Sequence, residues 1–257
     1  MTNIVAIIQA RQGSSRLPGK SMMKLTEDYC VLDFMIQRLM PSIRINKIVV
    51  ATTHSEEDDT IEDLCNALGI ACFRGSERNV LERFYQAAVK YKASHIVRLT
   101  GDCPLQDYRV VDDLINGYFD SSVDCVANAI FPTYPDGFDA EMFSFLVLEK
   151  VFKLATLPSE KEHVTPYIYK KSSPFIYKNI PFIKDYSHFR LTLDTKEDFQ
   201  LIQIIALWMS SHKTYIHLPE ILNYIEKNPE LLHINNQYRR NEGYEKSLHE
   251  DSDYLDK

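Results

Sequence analysis

A chain of 257 residues, 45% apolar and 25% charged, has the make-up of a globular protein with a full core, and its net charge of -7 offers no general field for nucleic acid. The five cysteines, Cys30, Cys65, Cys72, Cys103 and Cys125, are scattered, odd in number and free of a CxxC pair, which argues for reduced thiols in a cytoplasmic protein over a disulfide framework or a zinc site. No stretch approaches the ~20 apolar residues of a membrane span, and Ile4–Ile8 is too short a run for a secretion signal.

Ile4–Gln9 reads as a buried strand, and Leu32, Met35, Ile36 and Leu39 then fall on one helical face. Lys47–Ala51 is a second strand. Ile61, Leu64, Cys65 and Leu68 repeat the helical spacing, with Gly69 as a C-terminal cap. A short strand at Ala71–Phe73 precedes a helix that turns Val80, Phe84, Ala87 and Tyr91 inward. His95–Thr100 is another strand, followed by a helix lined by Val110, Val111, Leu114, Ile115 and Tyr118. This alternation specifies an α/β protein with a largely parallel sheet covered on both faces.

After Val123–Asn128 the rhythm changes. Phe131–Phe143, rich in Pro, Gly and Asp, reads as an ordered loop. Ser144–Ala155 reads as a helix, and Ser159-x-x-Glu162 as a capping box opening another. Phe175–Ile180 and His188–Leu193 read as two strands, antiparallel and near a sheet edge. Asp194–Ser210 is a final long helix, and Pro219 suits the first turn of a short one. Residues 1–234 are expected as one domain and 235–257 as a polar tail, extended or poorly ordered.

In an open parallel sheet, ligands bind beyond the carboxyl ends of the strands. The segment after the first strand offers Arg11, Gly13, Ser14, Ser15, Arg16, Gly19 and Lys20 there. Glycines let backbone N–H groups approach phosphate oxygens, hydroxyls add donors, arginines grip phosphates with a planar fork, and lysine adds a compact charge. This is neither a Walker A loop nor a dinucleotide fingerprint, and composition alone is equally compatible with a solvated turn. Asp102 directly follows the strand ending at Thr100, which places a carboxylate in the same crevice or, on the plainer reading, in a Gly-Asp turn. Asp194-x-x-Glu197 is an acceptable helix cap.

The run Ile7-Ile8-Gln9-Ala10-Arg11-Gln12-Gly13-Ser14-Ser15-Arg16-Leu17-Pro18-Gly19-Lys20 resembles the signature loop of the CMP-sugar synthetase group of cytidylyltransferases, and in particular the spore-coat-polysaccharide type, related to acylneuraminate and Kdo cytidylyltransferases. The similarity continues through Phe73-Arg74-Gly75-Ser76, Arg98-Leu99-Thr100-Gly101-Asp102-Cys103-Pro104-Leu105, Glu162-His163-Val164-Thr165-Pro166-Tyr167 and Asn241-Glu242-Gly243-Tyr244. The resemblance implies a three-layer, nucleotide-diphospho-sugar-transferase (GT-A-like) fold with a mostly parallel mixed sheet. It also implies transfer of CMP from CTP to a small sugar, acidic and nonulosonic in type, with magnesium held by Asp102 and Asp194. Arg11, Arg16 and Lys20 would neutralise the triphosphate, while Ala10, Arg74 and Thr100 would surround the base. Members are often homodimers, and no membrane or nucleic-acid partner is implied.

Asp136, Asp139 and Glu141 fall in the irregular loop, where they would bind sugar hydroxyls or simply solvate a turn. His163 is open to contacting the sugar or to a packing or capping role, and Arg190 to gripping a sugar carboxylate or to an edge-strand charge. The acidic run Glu56–Asp59 reads as a solvated helix start. Two other enzymatic readings stand beside cytidylyl transfer. One is another nucleotidyltransferase using UTP, GTP or ATP with a sugar phosphate. The other is a glycosyltransferase, although Asp251-Ser-Asp253 lies in the polar tail rather than after a mid-chain strand. A nonenzymatic nucleotide-binding regulator would not require both Asp102 and Asp194.

Overall fold

The computed structural model describes residues 2–255. Seven strands form one sheet: β1 (Ile4–Gln9), β2 (Lys47–Thr53), β3 (Ala71–Gly75), β4 (His95–Thr100), β5 (Cys125–Ala127), β6 (Glu141–Ser144) and β7 (Tyr177–Asn179). Their order is β3-β2-β1-β4-β6-β5-β7, and only β6 runs against its neighbours. The expected mostly parallel mixed sheet is therefore present. Neither face meets water, so successive residues of β1 are all apolar: Val5 and Ile7 pack on one side, Ile4, Ala6 and Ile8 on the other.

Helices α1 (Val31–Leu39), α2 (Asp59–Leu68) and α4 (Tyr108–Phe119) cover one face through Leu32, Met35, Ile61, Val111 and Leu114. The other face is covered by α3 (Val80–Lys90) and α5 (Phe145–Leu154) through Phe84, Ala87, Val147 and Leu148. Gly69, at φ 66°, closes α2 as the sequence suggested. Two short helices follow, α6 (Pro158–His163) and α7 (Pro166–Tyr169). A third apolar cluster joins α8 (Lys196–Ser210) and α9 (Leu218–Lys227) to Phe138, Phe189, Leu191 and Leu193. No helix among the described residues is long and apolar enough to cross a membrane.

Four expectations are corrected. The antiparallel pairing of Phe175–Ile180 with His188–Leu193 does not form: β7 runs parallel to β5, and residues 189–193 make only a single bridge, from Arg190 to Asp136. Their alternation reflects Phe189, Leu191 and Leu193 facing the third cluster rather than a ladder. The capping residue of α6 is Glu160, whose carboxylate accepts from the backbone N–H groups of Thr156 and Leu157, so Ser159-x-x-Glu162 is out of register. At α8 the box is likewise one residue later than Asp194-x-x-Glu197, formed by Thr195 and Asp198. Finally, the polar tail is not extended: α10 (Glu242–Leu255) is a helix packed on α6. Its buried residues are Ser247 and Asp251, held by hydrogen bonds rather than apolar area, which is why hydropathy conceals it.

Candidate active site

The chain runs from β1 outward to β2 and β3, then returns to place β4 on the other side of β1. Connections leaving β1 and β4 therefore diverge in opposite directions, and the crevice between their carboxyl ends is where such sheets take ligands. Gln9 and Thr100 are register partners there. Gly101 allows the closeness: a Cβ at that position would stand 3.0 Å from both the Ala10 Cβ and the Gln9 carbonyl oxygen.

Residues 10–20 form a loop folded on itself. The Gln12 carbonyl accepts from Ser14 (2.8 Å) and Gly19 (2.9 Å), and Gly19 takes φ 75° to launch a 3-10 turn at Lys20. Asp58 fixes the loop from outside, accepting from the Gln12 backbone N–H (2.7 Å) with one oxygen and from Thr53 with the other. Burial alone would raise the Asp58 pKa, but these hydrogen bonds hold it below the usual carboxylate value. The acidic run is thus not uniformly solvated, because Asp58 is buried.

Lys20 Nζ donates to Asp102 Oδ2 (3.3 Å), Asp194 Oδ1 (2.9 Å) and the Leu193 carbonyl (2.8 Å). Burial opposes its charge, yet the two carboxylates raise its pKa above the ordinary lysine value. Asp102 is the converse: burial pushes it up, and Lys20 together with Thr100 brings it below the normal range. Asp194 also meets Arg16 at 2.8 Å and Arg190 at 3.4 Å. Loop, β4 end and α8 entrance are thereby joined at one charged junction.

Two lobes open on that junction. The first, about 420 Å3, takes in Ala10, Arg11, Ser14, Lys20 and Arg83; the second, about 460 Å3, takes in Asp136, Asp139, Glu141, Arg190 and Asp194. Arg16, Thr100, Asp102 and His163 border both. Gly13 lies exposed on the loop outside the lobes. Arg74, expected near the base, lines neither: it donates to the Thr53 and Ser55 carbonyls and pairs with Asp59 and Glu62. Four acceptors already satisfy its guanidinium.

In the second lobe each expected carboxylate has its own arginine. Asp136 pairs with Arg190 (3.2 Å), Asp139 with Arg240, and Glu141 with Arg98 (2.6 Å). Glu141 belongs to β6 rather than to a loop, and it also accepts from Thr165 (2.9 Å) and Tyr169 (2.6 Å), so its oxygens are fully occupied. Burial and neighbouring Asp139 lift the Asp136 pKa to about 7, even with arginines nearby. Arg190 is anchored from behind by Asp198, through bonds of 2.9 and 2.8 Å. Gly137, at φ 108°, lets this segment lie flush on residues 191–192; a Cβ there would come 2.3 Å from the Leu191 carbonyl oxygen.

His163 bridges the lobes, with Nε2 3.0 Å from Ser247 Oγ of α10 and its ring edge-on to Tyr244. Burial and then Arg98 keep its pKa below the ordinary histidine value. The next residue, Val164, has φ 71°, an unfavourable conformation for a β-branched side chain. α10 closes the cleft from above: Glu242 pairs with Arg16 (3.4 Å), and Ser159 donates to the buried Asp251 from both N–H (2.9 Å) and Oγ (2.5 Å). Asp251 therefore serves as a tether for this helix.

Residues 5–243 match the family profile described as cytidylyltransferase. The chain belongs to the cytidylyltransferase family. It is accordingly a CTP-dependent nucleotidyltransferase. Spore coat polysaccharide biosynthesis protein SpsF of Bacillus subtilis (strain 168) is 35% identical to it over 243 residues, 90% of this chain and 97% of that protein. A cytidylyltransferase from Leptospira borgpetersenii serovar Hardjo-bovis (strain JB197) superposes with a TM-score of 0.85 at 33% identity, covering 90% of this chain and 97% of that one. CMP:2-keto-3-deoxy-manno-octonic acid synthetase, complexed with CTP, shares the fold at a TM-score of 0.62 and 17% identity, covering 80% and 98%.

Several cleft residues of this cytidylyltransferase were not singled out as site residues from the sequence, although Arg98 and Glu242 fall in the stretches that carry the resemblance. Arg83 sits at the inward i+3 position of the Val80-Phe84-Ala87 face, where a charge is out of place, and that was the available clue. Arg98 interrupts an apolar strand in the same way. Arg239, Arg240, Glu242 and Lys246 come from the polar C-terminal segment, and only the fold brings them to the cleft.

Proposed function

We propose that the chain transfers CMP from CTP to a hydroxyl of an acidic, nonulosonic-type sugar, releasing pyrophosphate, for a surface polysaccharide or glycoconjugate. The observation that carries this reading is the two-lobed cleft meeting at Lys20 and Asp102. The first lobe, with its folded loop, takes the nucleotide; the second, lined by paired arginines and carboxylates, takes the sugar. Arg239 lines the second lobe and makes no ion pair among the described residues, so a guanidinium remains available for a sugar carboxylate. The names of the Bacillus relative and of the CTP-bound synthetase support polysaccharide context and acidic acceptor respectively.

The sugar hydroxyl oxygen attacks the α-phosphorus. The bond from that phosphorus to the bridging oxygen breaks, pyrophosphate departs with the electron pair, and the hydroxyl proton passes to solvent. Arg11, Arg16 and Lys20 neutralise the triphosphate and hold the leaving group. No cluster of three His, Cys, Asp or Glu suited to a metal ion occurs among the described residues. Asp102 and Asp194 both converge on the Lys20 ammonium, and this pair of carboxylates would hold a magnesium ion, with phosphates and water supplying its other ligands. Bound there, the ion would offset phosphate charge and acidify the attacking hydroxyl. The test is pyrophosphate release with CTP and a panel of acidic and neutral sugars and sugar phosphates. Turnover with acidic sugars supports the reading, and turnover only with sugar phosphates or with another nucleotide overturns it.

A further inference from the structure

Arg83 stands out among the buried charges. Its side chain is 2% exposed, and no carboxylate lies within ion-pair distance of it among the described residues. One nitrogen, Nη1, donates to the Ser76 carbonyl (2.5 Å), while Nε is buried without any hydrogen-bond partner. Burial and then the nearby Arg11 charge press its pKa down to about 10, so the fold holds this cation at a cost. The same side chain forms part of the wall of the first lobe. Every other arginine bordering the cleft with comparable burial has a carboxylate: Arg98 has Glu141, and Arg190 has Asp136, Asp194 and Asp198.

The surroundings indicate which part of a nucleotide would meet it. The hydroxyl and cationic donors of the lobe, Ser14, Ser15, Arg16 and Lys20, belong to the folded loop, and Arg16 and Lys20 reach Asp194 and Asp102. The same lobe also has a small, apolar wall in Val80, one turn before Arg83 on α3, and in Ala10 and Gly101, the last pressed against Ala10. Such walls suit a flat ring better than a triphosphate. We propose that Arg83 reads the base of the bound nucleotide, donating from guanidinium N–H groups that the protein leaves unused to the O2 and N3 acceptors of cytosine. This rests on the first lobe being the nucleotide site. The planar fork matches two adjacent acceptors, whereas uracil presents a donor N3–H at the second position and leaves one N–H facing another. Arg83 thereby becomes the residue that sets the choice of CTP over UTP.

The experiment compares wild type with Arg83→Met, which keeps the length and removes the charge. Affinities for CTP, UTP and inorganic tripolyphosphate are measured by calorimetry, and thermal stability is measured without nucleotide. The expected result is CTP binding weakened at least about tenfold, with UTP and tripolyphosphate changed less than about threefold, so that base preference collapses. Stability without nucleotide is expected to hold or rise, because an uncompensated buried cation is gone. Equal weakening of CTP and tripolyphosphate makes Arg83 a phosphate ligand and overturns the proposal. An unchanged CTP-to-UTP ratio overturns it as well, whatever happens to stability. If the methionine variant does not fold, Arg83→Lys serves, with the same two ratios deciding. Lys20→Met is the control for the lobe itself. If it weakens both CTP and tripolyphosphate while Arg83→Met weakens neither, only the base-reading role fails; if it weakens neither, the placement of the nucleotide fails.

Discussion

Lys20 Nζ lies 2.9 Å from Asp194 Oδ1 across 174 residues of sequence, and the same ammonium reaches Asp102 at 3.3 Å. All three side chains are mostly buried, so the lysine neutralises two carboxylates that would otherwise face each other. Lys20→Met should cost about 3 kcal/mol of stability in urea unfolding, the usual result of removing one partner from a buried charge cluster. Adding Asp194→Asn to that variant should recover part of the loss. A single variant as stable as wild type would show that the lysine does not hold the junction together.

Asp136 gives a pH dependence of definite sign. Its folded pKa of about 7 lies above the ~3.9 of an unfolded aspartate, so the folded state binds the proton more tightly. Stability from this group is full below pH ~4 and is lost as pH rises toward 7. The stability of wild type relative to Asp136→Asn should therefore fall between pH 4.5 and 8, by about 3 kcal/mol. A difference that is flat or rises across that window would show that Asp136 is ionised with ease beside Arg190.

Asp58 has the opposite sign, since its folded pKa is depressed. Its contribution is present above pH ~4 and is lost as pH falls through the folded value. Asp58→Ala would leave the backbone N–H groups of Gln12 and Thr53 without their acceptor, at a cost of about 2–3 kcal/mol. Because Gln12 belongs to the 10–20 loop proposed to hold the triphosphate, CTP binding should weaken as well, although Asp58 lines neither lobe. Intact CTP affinity in a destabilised variant would separate the loop from this anchor.

The tether between Ser159 and Asp251 predicts behaviour at the C-terminus. Ser159→Ala strips the buried carboxylate of its hydroxyl donor, and α10 should then exchange its amide hydrogens markedly faster than wild type while the sheet does not. Since Glu242, Gly243 and Ser247 of α10 border the cleft, KM should rise alongside. Unchanged exchange in residues 242–255 would mean that the helix is held by something other than this pair.

The legible part of the molecule is the part built by apolar burial. From β1 to α4 each strand is covered on both faces and each helix on one, so runs and 3.6-residue periods mark them directly. The loop at 10–20 and Asp102 were legible because glycines, hydroxyls and charges follow strand ends. What stayed hidden depends on polar partners distant in sequence. Arg190 finds Asp136 across 54 residues, Ser159 finds Asp251 across 92, and Arg240 finds Asp139 across 101. No local pattern records such pairs. Arg74 shows the same limit in reverse, since Asp59 and Glu62 of α2 draw it away from the cleft.

Cytidylyl transfer is proposed to take place where the two lobes meet, at Asp102. The most direct measurement is CTP-dependent pyrophosphate release by Asp102→Asn, using an acidic sugar that wild type turns over, with circular dichroism and thermal unfolding as controls. The expected result is a folded protein whose turnover falls by at least about a hundredfold. Near-normal release of pyrophosphate from that folded variant would contradict it.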